Sequence, residues 1–283
     1  MEMMFPRTMV GGVSLPRMLI GTNWLVGFSH TSVASDHMIT AHHASRESIA
    51  EVIEAYLEYG IDAMMGPMGL APILVDAAKL AEDHTGKKVI LIDTPIINVD
   101  NNSDARAEAR STIEASRKLG ATFCLPHHAS AEQLVCKNTR TIDRLPDYLS
   151  MIRENGMVPG LSAHMPEMIV FSDLNGYDVE TYIQIYNCAG FLMQVEVEYI
   201  HKVIHSAKKP VMSIKAMAAG RVSPFVGLTF SYATLRDCDM VTVGAFSPEE
   251  VHEDVEIAQA ALDRRAPRIL GRQSPKKTDA LQG

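Results

Sequence analysis

The chain alternates between two kinds of hydrophobic spacing from Arg17 onward. Short apolar runs rich in β-branched residues are each followed by a longer stretch in which apolar residues recur every three or four positions. This alternation is typical of a parallel sheet wrapped by helices. We count eight such units, and eight parallel strands form a closed barrel whose interior is filled by side chains. The predicted strands are residues 17–23, 61–66, 88–94, 121–127, 157–162, 179–186, 210–215 and 240–244.

Several helices carry start signals in the sequence. One apolar stripe follows a Ser45 cap, and the last begins at Ser247 with Glu250 as its capping-box partner. Another stripe runs from Met193 to Ile204. Together with the strands, these helices predict an α/β protein with the TIM (β/α)8 barrel fold.

Two further segments lie outside the repeating units. Residues 3–16 place a Gly-Gly pair between short apolar pieces, which predicts an N-terminal β-hairpin plugging the bottom of the barrel. Residues 24–43 show neither spacing and are rich in histidine, which is typical of a lid or binding loop. We therefore expect one barrel domain over residues 1–263 and a flexible, basic C-terminal tail over residues 264–283.

Composition narrows the class of protein. The 283 residues are 47% hydrophobic and 21% charged, as in ordinary globular proteins. No apolar run is long enough to cross a bilayer, the start lacks a signal-peptide pattern, and the four cysteines are scattered, so we expect a cytoplasmic protein with reduced thiols. Six of the 26 basic residues lie in the tail, which leaves an acidic body that should not bind nucleic acid.

Five short motifs stand at the ends of predicted strands, in a fixed order. They are His127, GLSAH at 160–164, QIYN at 184–187, KAMAAGR at 215–221 and VGAFSPEE at 243–250. In order and spacing this segment resembles the aldo/keto reductase superfamily, and the hairpin and Gly21-Thr22 extend the resemblance to nearly the whole chain. The resemblance implies a barrel with its site at the C-terminal mouth.

The reductase chemistry does not carry over with the fold. The family uses Asp, Tyr, Lys and His, and of these only the His has a matching position, at His127. Met64, Met65 and Pro67 stand where the family places Asp and Tyr, and the segment LIDTPI at 91–96 lacks the Lys. The loop after the eighth strand, at 245–247, also lacks the Lys and Arg that grip the 2′-phosphate of NADPH in the family.

The remaining polar residues at strand ends suggest a different chemistry. Consecutive residues of a strand point to opposite sides, so we expect only one of His127 and His128 to face the axis. Lys215 could hold an anion, polarise a carbonyl or form a Schiff base, or it could make a structural ion pair with Asp93 or Asp239. The predicted catalytic residues are His127, His164 and Lys215; the predicted substrate-binding residues are Asn23, His128, Gln184, Asn187 and Arg221; the predicted metal ligands are Asp93, His127 and His164.

The leading hypothesis is therefore an enzyme that acts on a small polar carbonyl or sugar-derived substrate by non-redox proton transfer, as isomerases and lyases do. A divergent NADPH-dependent oxidoreductase and a non-catalytic ligand-binding barrel are the alternatives. The cofactor is left open, with a divalent metal ahead of NADPH. The expected partner is a small-molecule substrate, without nucleic acid or membrane, and self-association into a homo-oligomer is left open.

Overall fold

The fold was derived from a computed structural model, which describes residues 4–268. Nine parallel strand segments form one sheet. They are β3 (Met18–Gly21), β4 (Ala63–Gly66), β5 (Ile90–Asp93), β6 (Phe123–Cys124), β9 (Val158–Pro159), β10 (Leu161–Ser162), β11 (Tyr182–Ile185), β12 (Val211–Ile214) and β13 (Met240–Val243). Their order across the sheet is β10-β11-β12-β13-β3-β4-β5-β6-β9. All eight predicted strands are present, so the TIM-barrel prediction is confirmed.

The two ends of the sheet meet in the fifth barrel strand. β9 pairs with β6 and β10 pairs with β11, so the two halves of one strand, separated by Gly160, close the barrel. A Cβ at Gly160 would lie 2.8 Å from a side-chain atom of Leu125 and 2.8 Å from one of Thr181. The backbones therefore come together at this seam because residue 160 has no side chain.

The N-terminal hairpin, β1 (Arg7–Val10) with β2 (Val13–Pro16), is antiparallel as predicted. Val10 and Leu15 pack in the same cluster as the side chains that point into the barrel. Arg7 bonds the carbonyl of Gly60 at 2.8 Å, just before a strand begins. The hairpin therefore closes the end of the barrel where the strands start.

Helices surround the barrel, and two expectations from the sequence were wrong. The stripe that was expected to start at Met193 belongs to a helix that begins only at Val197. Residues 24–43 are not structureless, because they contain a helix in which Ile39 alone is buried and no apolar stripe exists. The helices are α1 (Val33–His42), α2 (Arg46–Glu58), α3 (Pro72–Thr85), α4 (Ser103–Lys118), α5 (His128–Ala131), α6 (Leu145–Glu154), α7 (Glu167–Asn175), α8 (Val197–Ser206), α9 (Pro224–Thr234) and α10 (Pro248–Leu262).

A short insertion follows the fourth barrel strand. The antiparallel pair β7 (Val135–Cys136) and β8 (Thr141–Ile142) lies between α5 and α6 and was not predicted. At the other end of the chain, Arg265 pairs with Glu256 at 2.6 Å. The rest of the predicted tail, from residue 269, lies outside the described residues. Within residues 4–268, no helix is both long and apolar enough to cross a membrane.

The core has two layers separated by the sheet. Side chains of one strand parity fill the interior, including Leu19, Met65 and Phe123. Those of the other parity pack against the helices, including Ile20, Leu91 and Tyr182. This parity decides which polar side chain at a strand end reaches the mouth of the barrel.

Candidate functional site

A cavity of about 450 Å³ opens at the end of the barrel where the strands stop. Its volume suits a small organic ligand. Apolar side chains form part of the wall, among them Trp24, Phe28, Leu70 and Ile96. The polar side chains that line it are Thr22, Asn23, Ser29, His30, Thr94, His127, His128, Ser162, His164, Lys215 and Thr242.

Three imidazoles stand in a row on one side of this cavity. The ring centroids of His127 and His128 are 4.1 Å apart, and those of His128 and His164 are 3.8 Å apart with nearly parallel planes. The sequence predicted that only one of the two neighbouring histidines could face the axis, and this was wrong. β6 ends at Cys124, His127 caps α5, and His128 is the first residue of α5, so strand alternation no longer applies.

The cap fixes the hydrogen-bonding state of His127. Its Nδ1 accepts a hydrogen bond from the backbone N–H of Ala129 at 3.3 Å. In the neutral ring, the proton must then be on Nε2, so His127 offers a donor through that nitrogen.

His164 is positioned through its backbone. The Glu132 carboxylate accepts hydrogen bonds from the N–H groups of His164 and Met165. The His164 carbonyl accepts a hydrogen bond from the Gln184 side chain at 3.0 Å. These contacts hold the turn after β10 and with it the imidazole.

Lys215 follows β12 directly and has a left-handed backbone, with φ of 63°. A non-glycine residue in this region is strained, and such strain concentrates at functional sites. Ala218 and Ala219 in the same loop are left-handed as well. The segment 215–219 is therefore held in a costly conformation that brings Lys215 to the cavity.

His30, from the loop before α1, was not among the predicted site residues. Its Nε2 lies 3.4 Å from the Lys215 Nζ, and the Arg221 guanidinium donates to its carbonyl at 3.2 and 3.3 Å. Arg221 itself stacks on Phe191 at 4.2 Å. The loop was flagged in the sequence as a lid, but nothing there singled out His30 from its other histidines.

The described side chains that line the cavity include a positive charge and no negative charge. No Asp or Glu is among the lining residues within the described chain. Burial, with the charges of His128 and Lys215, lowers the pKa of His127 to about 4. Burial, with His128 and Lys215 again, lowers the pKa of His164 to about 3. The imidazoles are thus neutral at pH 7, and Lys215 is the lining cation, its own pKa lowered by burial.

Three predicted site residues lie away from this cavity. Gln184 and Asn187 are buried and tie loops together, Gln184 through His164 and Asn187 through the backbone of Phe191. Asp93 has the parity of Leu91 and faces outward, where it accepts from the N–H of Met68 at 2.9 Å. By contrast, Asn23, His127, His128, His164 and Lys215 line the cavity, and Arg221 adjoins it through His30.

The predicted metal set is consequently not assembled. Asp93 is separated from His127 and His164 by the sheet, because strand alternation turns its carboxylate toward α4. Over residues 4–268, no group of three His, Cys, Asp or Glu side chains is arranged to hold a metal ion.

The residues present do not fit the 2′-phosphate of NADPH. The Ser247 hydroxyl accepts from the N–H of Glu250, and the Glu250 carboxylate accepts from the N–H of Phe246 at 2.8 Å. The N-terminus of α10 is thus occupied by a carboxylate of the chain itself, which would repel a phosphate. His42 stacks on Phe246 at 4.3 Å and packs α1 against this loop.

Solved structures resemble this chain in fold. A Pseudomonas aeruginosa protein assigned as an aldo-keto reductase matches with a TM-score of 0.65 at 14% identity, covering 90% of this chain and 95% of that one. At this identity the match shows the fold alone, a TIM barrel similar to that of the Pseudomonas protein. The BexX/CysO complex of Amycolatopsis orientalis matches at 0.54 and 14% identity, covering 94% of this chain and 100% of that one. Neither a protein-family model nor a curated protein matches.

Proposed function

We propose that this chain is an enzyme of the lyase or isomerase type, which moves a proton at the carbon next to a carbonyl group in a small substrate. The observation that carries the proposal is the row of three neutral imidazoles beside Lys215, in a cavity without a carboxylate among its described lining residues. Removing such a proton places negative charge on the carbonyl oxygen, and the site offers positive charge and N–H donors for it.

The residues divide into two roles. His127, whose Nδ1 is engaged by its own helix, donates from Nε2 to the substrate oxygen, and Lys215 stabilises the charge that develops there. A neutral imidazole can serve this electrophilic role in proton-transfer enzymes. The stacked pair His128 and His164 moves the proton. Burial lowers the pKa of His128, and the charge of Glu132 opposes that shift.

The substrate we favour carries a negative charge, as a keto acid or a sugar phosphate does. Burial and the charge of Lys215 disfavour protonation of His127 and His164, so both imidazoles are neutral before a substrate binds. A bound anion would offset this repulsion and raise their pKa values toward neutrality, where proton transfer is most effective. Binding of the anionic substrate would thus make the imidazoles more effective bases.

The alternatives have less support. A divergent NADPH oxidoreductase would need a phosphate site that Glu250 and Ser247 already fill. A non-catalytic binding barrel could use Lys215 to hold an anion, but it does not explain why His127, His128 and His164 lie in a row beside it.

Solvent deuterium wash-in tests the proposal. The protein is incubated in D2O with 2-oxo acids and ketose phosphates, and NMR follows loss of the proton next to the carbonyl. We expect exchange above the uncatalysed rate for at least one compound, with a loss of about 100-fold or more in His128→Gln. His84→Gln, an exposed histidine on α3, is the matched control and should keep the rate. Exchange that is absent throughout, or unaffected by His128→Gln, would rule the proposal out.

A further inference from the structure

Lys215 differs from the other lysines whose contacts are described. Lys88, Lys137 and Lys209 each pair with a glutamate at 2.7 to 3.0 Å. Two more donate to a backbone carbonyl at 2.7 Å, namely Lys87 and Lys208. For Lys215, the polar contact in the described structure is instead His30 Nε2 at 3.4 Å. The amine therefore faces a ligand cavity with an imidazole as its neighbour and without a carboxylate to hold its proton.

We propose that Lys215 acts as a nucleophile and forms an imine with the carbonyl carbon of the substrate. The inference rests on the proposed function and gives Lys215 a covalent role in place of the electrostatic one, so that His127 donates to the substrate oxygen while the C–O bond is still intact. Three observations support it. The amine lines the cavity, and its strained backbone holds it there at a cost. The His30 Nδ1 donates to the Phe28 carbonyl at 3.0 Å, which leaves the Nε2 beside Lys215 as a proton acceptor. A lysine kept only for charge would not need an acceptor beside it.

The step balances without any added reagent. The neutral Nζ attacks the carbonyl carbon, a C–N bond forms, and the former C=O electron pair on oxygen takes up one proton from solvent. His30 accepts a proton from nitrogen and returns it to the hydroxyl as the C–O bond breaks, so that water leaves and the protonated imine remains. That cation accepts the electron pair when the neighbouring C–H bond breaks, and the released proton goes to the stacked imidazoles. The carbon of the resulting enamine then takes up a proton, and water adds to the imine to regenerate the amine and the carbonyl group.

Burial makes the free amine available. The pKa of Lys215 is lowered because its charged form is desolvated. Each unit by which a lysine pKa falls raises the fraction of free amine at neutral pH about tenfold. An exposed lysine that only carries surface charge is not desolvated in this way, so burial does not lower its pKa.

Reductive trapping tests the proposal. The full chain is treated at pH 7 with sodium cyanoborohydride and either pyruvate or dihydroxyacetone, and peptide mass spectrometry follows the reduced adduct at each lysine. Lys202 on α8 is exposed and serves as the internal reference. We expect Lys215 to be labelled at least about tenfold faster than Lys202. Labelling of Lys215 no faster than Lys202 with both probes would overturn the imine.

Two variants separate this inference from the proposed function. Lys215→Arg keeps the charge but cannot form an imine, so it should give no adduct and lose deuterium exchange. Lys202→Arg is the matched control and should keep both. Exchange in the wild-type protein without an adduct at Lys215 would refute the imine and leave the proton-transfer function standing, with Lys215 acting by charge alone. Circular dichroism of Lys215→Arg checks that the loss is not unfolding.

Discussion

The two ends of the barrel handle buried positive charge in opposite ways. At the bottom, Arg236 makes several hydrogen bonds to the Asp239 carboxylate, and Arg17 donates to the carbonyls of Asp239 and Arg236. At the mouth, Lys215 faces neutral imidazoles. A paired buried charge stabilises the position of its neighbours, whereas one without a counter-charge has interactions left for a ligand. The bottom is therefore built for stability and the mouth for chemistry.

The backbone shows the same contrast. In the hairpin at the bottom, the two turn positions with positive φ are glycines, Gly11 and Gly12. At the mouth, His30, Lys215 and Ala219 occupy that region with side chains and line the cavity. Glycine adopts it without strain, and other residues pay about 1–2 kcal/mol. The mouth accepts this cost because the side chains at these positions contribute to the cavity.

The largest effect is expected at His127, and two substitutions separate its chemistry from its cap. His127→Ala and His127→Asn should both lower the wash-in rate by about 100- to 1,000-fold, because each removes a donor to the developing oxyanion. His127→Ala should also lose about 1 kcal/mol of stability with the cap, and His127→Asn should not, because its amide oxygen can cap α5. Retained activity in His127→Asn would show that the cap, not the imidazole chemistry, matters.

At the bottom, the expected loss is in stability. Arg236→Ala should lower the free energy of unfolding by about 3 kcal/mol, because the fully buried Asp239 carboxylate would lose its partner. Urea unfolding measures this loss. Arg110→Ala, which breaks an exposed pair with Glu154, is the matched control and should cost less than about 1 kcal/mol. Equal losses would mean that the bottom network has no special role.

The mouth should make the fold sensitive to acid. An ordinary histidine pKa of 6.5 falls to about 4 at His127 and about 3 at His164 in the folded chain. The unfolded chain then binds more protons below pH 6.5, so stability should fall as pH drops from about 6.5 toward 3. The urea midpoint of His164→Gln should depend less steeply on pH than that of the wild type, and His84→Gln should not change the slope.

The smallest expected effect compares the two kinds of left-handed residue. Lys215→Gly should be more stable than Lys215→Ala by about 1 kcal/mol, since glycine relieves the strain at φ of 63°. Gly12→Ala should lose a similar amount, about 1 kcal/mol, although a Cβ there would contact nothing within 4 Å. Thermal unfolding of the three variants measures both differences. A Lys215→Gly variant no more stable than Lys215→Ala would show that the mouth is not strained.

The fold could be predicted because its signals are local and repeated. Each strand carries its own apolar run, and the caps at Ser45 and Ser247 are bonded as expected. Helix α1 could not be found, because burying Ile39 alone gives no periodic pattern. The site was harder, since β6 ends three residues earlier than predicted and this changes the direction of the side chains that follow.

Asp93 and His128 show the two sides of that difficulty. For Asp93, the preceding residues 89–92 are all apolar, so the sequence did not show which parity faces inward, and the structure places Asp93 on the outward side with Leu91. For His128, the same rule failed because β6 stops at Cys124. His30 reaches the cavity through a contact with Lys215 that spans 185 positions, which no local pattern carries.

The closing seam at Gly160 also governs the accuracy of the site. Ser162 and His164 follow it within four residues and line the cavity, so their distance from His128 depends on how tightly the two ends of the sheet approach. A single methyl group at residue 160 would push against Leu125 and Thr181 and wedge the wall apart. The position of the His164 imidazole relative to its substrate therefore depends on the absence of a Cβ atom at residue 160.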